Sequence, residues 1–135
     1  MKALTLTQPW ASLVAEGRKV IETRSWRTRY RGTLAIHAAK GIPAIARAFA
    51  QEFTAHRVEP LPLGAVVCLI DLVDCQPTED VVHGLSADER CFGDYSTGRW
   101  AWLFNPASLR VLPDPIPARG ALSLWEWDEK PDEGS

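Results

Sequence analysis

The chain has 135 residues, of which 46% are hydrophobic and 24% charged, and its formal net charge is −2. This length and composition are those of one compact globular domain, and no run approaches the roughly 18 apolar residues of a membrane span. An acidic chain is also a poor general binder of nucleic acid, because non-specific affinity rests on neutralising many phosphates at once.

The N-terminal residues predict a strand followed by a short helix. In LTLT, leucines alternate with threonines, which is the two-residue period of a half-buried strand and differs from the continuous apolar stretch of a secretory signal. We therefore expect a cytoplasmic protein. Pro9 suits the first turn of a helix that runs to about Glu16. Thr7 is the predicted N-cap of this helix and Gly17 its predicted stop.

Two further strands and a helix follow in the first half of the chain. Residues 20–26 and 32–39 predict strands that are joined by the basic linker RTRYR. Alternation places Glu22, Arg24 and Trp26 on one face of the first of these strands. The stretch AIARAFAQEF then repeats apolar residues at helical spacing and predicts a helix.

The second half of the chain predicts the core of a sheet. Residues 64–75 are apolar on both faces and rich in β-branched side chains, which indicates a long central strand. The polar segment PTEDVVHGLSADER predicts one or two helical turns. The stretches RWAWLF and ALSLWEW predict aromatic strands, and the prolines of LPDPIPARG between them exclude a central strand there.

These elements predict an α+β fold, a small mixed β-barrel of about five or six strands with two or three peripheral helices. We expect a single domain over residues 1–128 and a disordered tail over residues 129–135. The three cysteines form no CxxC pair, which predicts buried free thiols and neither a disulfide framework nor a zinc site. No phosphate loop, nucleophile elbow or HExxH motif occurs, so we expect no metal ion and no cofactor.

The first candidate site lies in QPWASLVAEGRKVIETRSW. Residues 17–40 carry a net charge of +6, with seven basic residues against Glu22, while the remainder carries −8. Such a local basic site suits a small anionic ligand or a short single strand. Arginine binds phosphate or a base edge, a tryptophan stacks on a base for roughly 1–3 kcal/mol, and glutamate accepts from an exocyclic amine. The alternative is a surface salt bridge between Glu22 and Arg24 beside a tryptophan that covers the barrel.

Two further clusters carry polar side chains on a strand and a loop. In RGTLAIHAAK, Arg31, His37 and Lys40 bracket a strand. Because His37 is predicted to lie opposite the apolar face, it is either an accessible base or a hydrogen-bonded structural residue. In FGDYSTGRWAW, Tyr95 and Arg99 lie on a glycine-flanked loop. This loop predicts either the rim of a ligand site or a β-turn above core tryptophans.

Four strings resemble, in order and spacing, the activating signal cointegrator homology (ASCH) family over nearly all of the chain: LTLTQPWASLVAEGRKVIETRSW, RGTLAIHAAK, GAVVCLIDLVDC and GDYSTGRWAWLF. The resemblance implies a barrel of the type found in PUA (pseudouridine synthase and archaeosine transglycosylase) domains, with a cleft for RNA, single-stranded nucleic acid or a modified nucleoside. The family's signature positions carry over to Gln8, Trp10, Lys19, Glu22, Arg24, Trp26, His37, Lys40, Tyr95 and Arg99.

The resemblance also implies two activities found in bacterial members, hydrolysis of N4-acetylcytidine and cleavage of RNA, while eukaryotic members bind nucleic acid. Lys19 matches the catalytic lysine of the amidohydrolase branch. However, Glu22 stands where that branch has a threonine. Thr23 is offset by one position and is expected to face the other way, so it does not replace the missing nucleophile.

Three hypotheses about function result. The leading one is a binding module that places a base or a short single strand between the turn at Lys19 and the loop at Tyr95, in a cleft lined by the QPW, GRKxxExRxW and HAAK motifs and by Arg31. The second is a metal-independent hydrolase, an amidohydrolase or a ribonuclease, with Lys19, Glu22 and His37 as catalytic residues. The third is a protein-interaction scaffold whose basic strip docks an acidic partner.

Overall fold

The computed structural model describes residues 1–54 and 60–128, so the predicted tail lies outside the described residues. The described chain forms the strands β1 (Lys2–Leu6), β2 (Ile21–Arg24), β3 (Gly32–Ala38), β4 (Ala65–Pro77), β5 (Trp100–Pro117) and β6 (Leu124–Glu126). It forms the helices α1 (Trp10–Ala15), α2 (Ala44–Thr54), α3 (Thr78–Val81) and α4 (Ala87–Cys91), and a 3₁₀ turn at Val82–Gly84. None of these helices is long and apolar enough to cross a membrane.

The strands form one mixed sheet in the order β2-β5-β4-β3-β1-β6. Strand β1 runs parallel to β3, and the other neighbours are antiparallel. One core packs around Leu34, Ile70 and Trp102, and a second packs around Leu69 and Trp127. The central strand β4 is thus covered on both faces, as its continuous apolar run predicts. The α+β class and the small mixed barrel are confirmed, with four short helices in the described residues where two or three were expected.

Strand β5 runs without a break into the proline-rich segment that was expected to separate two strands. It pairs with β2 only as far as Leu103, and its pairing with β4 extends to Pro117 opposite Ala65 but skips residues 112–115 at a register shift. Along the proline-rich stretch, β5 therefore has one strand neighbour among the described residues. A proline nitrogen needs no acceptor on such an open side. The expected break was wrong because this stretch has one strand neighbour and because Pro113 and Pro115 lie at the register shift, where a proline removes no ladder hydrogen bond.

Helix α1 connects β1 to β2 and buries one face. The backbone N–H of Trp10 donates to the carbonyl of Thr7 at 3.0 Å, and the first-turn N–H of Ser12 donates to the side-chain Oε1 of Gln8 at 3.0 Å. The prediction that Thr7 is the N-cap was therefore wrong. Gly17, with a φ of +75°, follows the helix end as predicted, because glycine adopts this backbone region without strain. The turn delivers Lys19 to the start of β2.

The basic linker RTRYR joins two strands that are not neighbours in the sheet. Strand β2 pairs with β5, whereas β3 lies between β4 and β1. The linker therefore spans from the edge strand to the middle of the sheet. Beside it, the ring of Trp26 packs edge-on against Trp102 with 4.7 Å between centroids. The linker arginines Arg27, Arg29 and Arg31 are exposed.

Candidate functional site

A cavity of about 520 Å³ opens between the end of β1, the strand β2 and the loop after α4. We call it the first cavity. Its volume lies within the roughly 300–1,000 Å³ range of small-molecule sites. The residues that line it are Thr5, Leu6, Thr7, Trp10, Glu22, Thr23, Arg24, Cys91, Phe92, Gly93, Asp94 and Arg99. Four of the sequence-predicted residues, Trp10, Glu22, Arg24 and Arg99, are thus brought together.

Lys19 lies behind this cavity and is completely buried. Its ammonium donates to the carbonyl of Ile21 at 2.5 Å and to the carbonyl of Phe92 at 2.8 Å, and it lies 3.5 Å from Oε1 of Glu22. Two of its three N–H bonds therefore have carbonyl acceptors, and the Glu22 carboxylate lies at ion-pair distance. Lys19 is therefore a fixed buried cation that ties β2 to the loop after α4 and holds the Glu22 carboxylate in place.

The Glu22 carboxylate in turn orients Arg24. Its Oε2 accepts a hydrogen bond from Nε of Arg24 at 2.9 Å, and Nη2 of Arg24 donates to the carbonyl of Thr5 at 2.8 Å. The side chain of Arg24 remains 24% exposed. Among residues 1–54 and 60–128, Nη1 of Arg24 has no hydrogen-bond acceptor. The first cavity is therefore lined by a guanidinium of fixed direction with spare donor capacity, next to a carboxylate.

The loop after α4 packs closely on β2 through Thr23 and Gly93. The Thr23 hydroxyl accepts a hydrogen bond from the backbone N–H of Asp94 at 3.0 Å. A Cβ at Gly93 would lie 3.0 Å from that same hydroxyl oxygen, so the absence of a side chain there permits the close approach. Thr23 thus lines the cavity as well, contrary to the expectation that its face turns away. Its hydroxyl holds the loop in place.

Trp10 and Arg99 form two further parts of the wall. The ring of Trp10 stacks on Phe49 with 5.3 Å between centroids and 16° between planes. This contact with α2 fixes the indole at the cavity edge. Nε of Arg99 donates to the carbonyl of Asp94 at 3.1 Å. Hydrogen bonds from Ser96 to the Asp94 carboxylate lower the pKa of Asp94, which is therefore ionised at neutral pH.

The first cavity is close to electrically neutral. Arg24 and Arg99 supply two positive charges to its lining, and Glu22 and Asp94 supply two negative ones. The strongly basic window of the sequence is therefore not concentrated here, since its linker arginines Arg27, Arg29 and Arg31 do not line this cavity. A cavity with balanced charges and alternating donors and acceptors suits an uncharged polar heterocycle better than a cluster of phosphates.

Two buried polar groups stand behind the wall without complete hydrogen bonding. Glu89 accepts from the backbone N–H of Val20 at 2.8 Å through Oε1, while its Oε2 and the Tyr95 hydroxyl have no partner among the described residues. Burial raises the pKa of the Glu89 carboxyl, the amide of Val20 and the charge of Lys19 oppose the rise, and Glu22 adds to it. Burial, with the charge of Glu89, also raises the pKa of Tyr95.

Substitution of Glu89 by Gln tests this arrangement. The pKa of Glu89 is raised in the folded state, so the native protein keeps this proton to a higher pH than the unfolded chain does. The contribution of Glu89 to the free energy of unfolding therefore falls as pH rises above the ordinary pKa of 4.5. E89Q keeps an acceptor for Val20 and loses the charge. We expect its free energy of unfolding, measured with urea, to increase relative to wild type between pH 4.5 and pH 7. D88N, which changes an exposed neighbour on α4, is the control. A difference in the free energy of unfolding between E89Q and wild type that does not change with pH would contradict the account.

Three predicted ligand-binding residues lie elsewhere and are engaged in the structure. Gln8 is completely buried, and its amide bonds Ser12 and the carbonyl of Pro62. The carbonyl of Trp26 accepts from the indole N–H of Trp102, and the Trp26 ring packs edge-on against that indole. Nη1 of Arg31 donates to two carbonyls of its own linker. None of these three side chains lines the first cavity.

His37 and Lys40 belong to a second cavity of about 1170 Å³ on the other side of β1. His37 is 2% exposed, because the face of β3 on which it lies, opposite Leu34 and Ile36, is covered by Trp125 and by residues 118–120. Its Nε2 lies 2.7 Å from the carbonyl of Ala118 and donates to it, and its Nδ1 is hydrogen-bonded to the Thr5 hydroxyl at 3.1 Å. Both ring nitrogens are thus engaged, and the histidine is not the accessible base that alternation suggested.

Gly120 makes this packing possible. A Cβ at this position would lie 2.7 Å from Cε1 of His37 and 2.8 Å from the Thr5 hydroxyl oxygen. Because His37 is buried, G120A forces a shift of packed atoms, and we expect it to lower the free energy of unfolding by about 1–3 kcal/mol. A Cβ at Gly41 meets no atom within 4 Å, so G41A is the matched control for urea unfolding. Equal stability of the two variants would contradict the geometry.

The residues that sequence analysis missed lie mainly in the loop after α4. Cys91, Phe92 and Gly93 line the first cavity, and Cys91 is exposed although the cysteines were predicted to be buried. The sequence does carry a signal for this segment, because SADE matches the capping-box pattern that begins a helix. The Ser86 hydroxyl accepts from the backbone N–H of Glu89 at 3.1 Å, as that pattern predicts. The Glu89 side chain, however, bonds Val20 on the other side of the site.

Comparisons with known proteins match both the sequence and the fold. The family model for the ASCH domain matches residues 4–112. Activating signal cointegrator 1 from Mus musculus and from Homo sapiens are each 28% identical to the chain over 141 residues, which cover 98% of this chain and 23% of those proteins. The chain thus spans about a quarter of the length of these relatives. The crystal structure of ASCH from Zymomonas mobilis has a TM-score of 0.51 at 15% identity, and the match covers 86% of this chain and 72% of that one. A point mutant of the same protein gives the same TM-score. The chain belongs to the ASCH domain family.

Proposed function

We propose that the protein is a binding module that holds one base of a single-stranded RNA, or a modified nucleoside, in the first cavity. The observation that carries this proposal is the Glu22–Arg24 pair, which Lys19 and the Thr5 carbonyl hold at the wall of an open cavity. A carboxylate beside a guanidinium offers acceptors next to donors. The edges of nucleobases offer the complementary groups side by side.

The remaining walls suit the other parts of a nucleoside. The indole of Trp10 provides an aromatic surface at the cavity edge, and base stacking on such surfaces contributes roughly 1–3 kcal/mol. Arg99 lines the cavity beside Asp94 and can bind a ribose hydroxyl or a phosphate at the rim. The volume of about 520 Å³ accommodates one nucleoside and leaves no room for a duplex.

Binding without hydrolysis is favoured by the state of the three catalytic candidates. Lys19 is completely buried and engaged by the carbonyls of Ile21 and Phe92 and by the Glu22 carboxylate, and it does not line the first cavity. Glu22 is engaged by two cations. His37 lines a different cavity, and both of its ring nitrogens are hydrogen-bonded. No pair of these residues forms the nucleophile and base that a hydrolase requires.

A titration of tryptophan fluorescence with product analysis tests the proposal. We expect cytidine, N4-acetylcytidine, adenosine, guanosine or uridine to change the emission of the wild type, and W10F to lose most of that change. Chromatography of the same samples is expected to return the nucleoside unaltered. Conversion of N4-acetylcytidine to cytidine, or shortening of an RNA, would make the protein a hydrolase and contradict the proposal. If no nucleoside or RNA changes the emission, the interaction-scaffold hypothesis is favoured.

A further inference from the structure

The second cavity has a charge pattern that the first lacks. Lys40 and Arg119 are exposed and line it, and none of its lining residues is acidic. Within residues 1–54 and 60–128, neither cation lies within salt-bridge distance of a carboxylate. A concave surface with two uncompensated cations attracts an anionic group. The walls between them include the apolar side chains of Leu63 and Leu122, which are 46% and 93% exposed.

The segments that carry these two cations are held together by one turn. The backbone N–H of Gly64, a residue with a φ of +61°, donates to the carbonyl of Ala39 at 3.3 Å, directly before Lys40. The carbonyl of Gly64 accepts from the N–H of Ala118 at 3.0 Å, directly before Arg119. The residues directly before Lys40 and Arg119 are therefore both hydrogen-bonded to Gly64, one through its N–H and the other through its carbonyl. Their backbones are positioned before any ligand arrives.

The two cavities adjoin at Thr5, which lines both. Its carbonyl binds Arg24 of the first cavity, and its hydroxyl binds His37 of the second. The hydroxyl also accepts from the indole N–H of Trp125 at 3.0 Å, so the residue between the cavities is fixed. Thr5 is the lining residue that the two cavities share, so we expect a strand that extends past it from the first cavity to reach the second.

We infer that the second cavity binds the nucleotide next to the one held in the first cavity, on the same single strand of RNA, with Lys40 and Arg119 contacting its phosphates. This inference rests on the proposed function of the first cavity. In this arrangement the neutral first cavity holds a base and the basic second cavity holds the phosphate backbone. An oligonucleotide therefore binds more tightly than a free nucleoside. Leu63 and Leu122 provide apolar contact for the flanking base or ribose.

The test compares a nucleoside with its homotrinucleotide in the wild type and in K40Q/R119Q. We expect the wild type to bind the trinucleotide at least tenfold more tightly than the nucleoside. The double variant is expected to lose about tenfold in trinucleotide affinity, and its slope of log affinity against log salt is expected to fall by about 1.4, since each phosphate contact on a single strand contributes roughly 0.7. Its affinity for the nucleoside should equal that of the wild type.

A matched double variant, R29Q/R47Q, removes the same charge from exposed positions outside both cavities and controls for overall charge. Retention of trinucleotide affinity by K40Q/R119Q, or an equal loss in the control, would overturn the inference. So would an equal loss of nucleoside and trinucleotide affinity in K40Q/R119Q. Failure of the wild type to bind any nucleoside, with trinucleotide binding that still depends on Lys40 and Arg119, would instead refute the function proposed for the first cavity.

Discussion

Replacement of Lys19 by Met is expected to lower the free energy of unfolding by about 3–5 kcal/mol, the cost of breaking a buried ion pair by removal of one partner. K19M leaves Glu22 without its buried cation, and it leaves the carbonyls of Ile21 and Phe92 without their donor. The side chain is completely buried, so water does not replace these contacts. Urea unfolding followed by far-UV circular dichroism measures the loss.

The neighbouring residue supplies the control. Arg18 is exposed and pairs with Glu16 at 3.7 Å, so R18M removes the same charge one position earlier and is expected to change the free energy of unfolding by less than about 0.5 kcal/mol. If K19M were as stable as R18M, Lys19 would not be the cation that holds β2 to the loop. A stable K19M that had lost only a chemical step would point to a catalytic lysine instead.

Replacement of Arg24 by Gln is expected to weaken nucleoside binding by about 10–100-fold. A hydrogen bond to a charged group contributes about 1.5–3 kcal/mol, and about 1.4 kcal/mol corresponds to a factor of ten in affinity. Glu22 keeps its contact with Lys19 in this variant, so the wall of the cavity persists while its donor is lost. Fluorescence titration measures the affinity, and urea unfolding confirms that R24Q remains folded.

Two further arginine variants make this prediction specific. R24K keeps the positive charge but loses the planar guanidinium, and we expect an affinity between those of R24Q and the wild type. Arg27 follows on the same segment, is exposed, and lies over the ring of Trp100 at 5.4 Å, outside the first cavity. R27Q is expected to bind nucleoside with wild-type affinity. Equal weakening by R24Q and R27Q would indicate a general charge effect rather than a directed hydrogen bond.

Local patterns predicted most elements but not their pairing. Alternation and helical spacing identified β1, β3, β4, α2 and the aromatic start of β5, since these signals lie within a few residues. That β2 pairs with β5 and not with β3 is a contact across about eighty residues, which periodicity does not report. The same holds for the proline stretch of β5, which is tolerated because it has one strand neighbour and because two of its prolines lie at a register shift of the β4–β5 pairing.

In the candidate site, too, local patterns predicted the positions of residues along a strand but not the contacts between distant residues. Glu22 and Arg24 share a face because alternation places them there, and both line the first cavity. The burial of Lys19 was not predictable, because lysine is almost always exposed and its acceptor on Phe92 lies 73 residues away. Alternation placed His37 correctly opposite Leu34 and Ile36, but it does not report that Trp125 and the segment at Ala118 cover this second face as well. Residues from HAAK therefore line the second cavity and not the first.

The rate of alkylation of Cys91 tests occupancy of the first cavity most directly. Cys91 is exposed and lines that cavity, whereas Cys68 and Cys75 are buried, and burial raises the pKa of the Cys68 thiol to about 12. Iodoacetamide should therefore label Cys91, and C91S should remain unlabelled. We predict that a nucleoside slows this labelling in proportion to its occupancy, at the concentrations that change the fluorescence, and that R24Q needs about 10–100-fold more ligand for the same protection. Unchanged labelling at saturating nucleoside would place the ligand elsewhere and contradict the account.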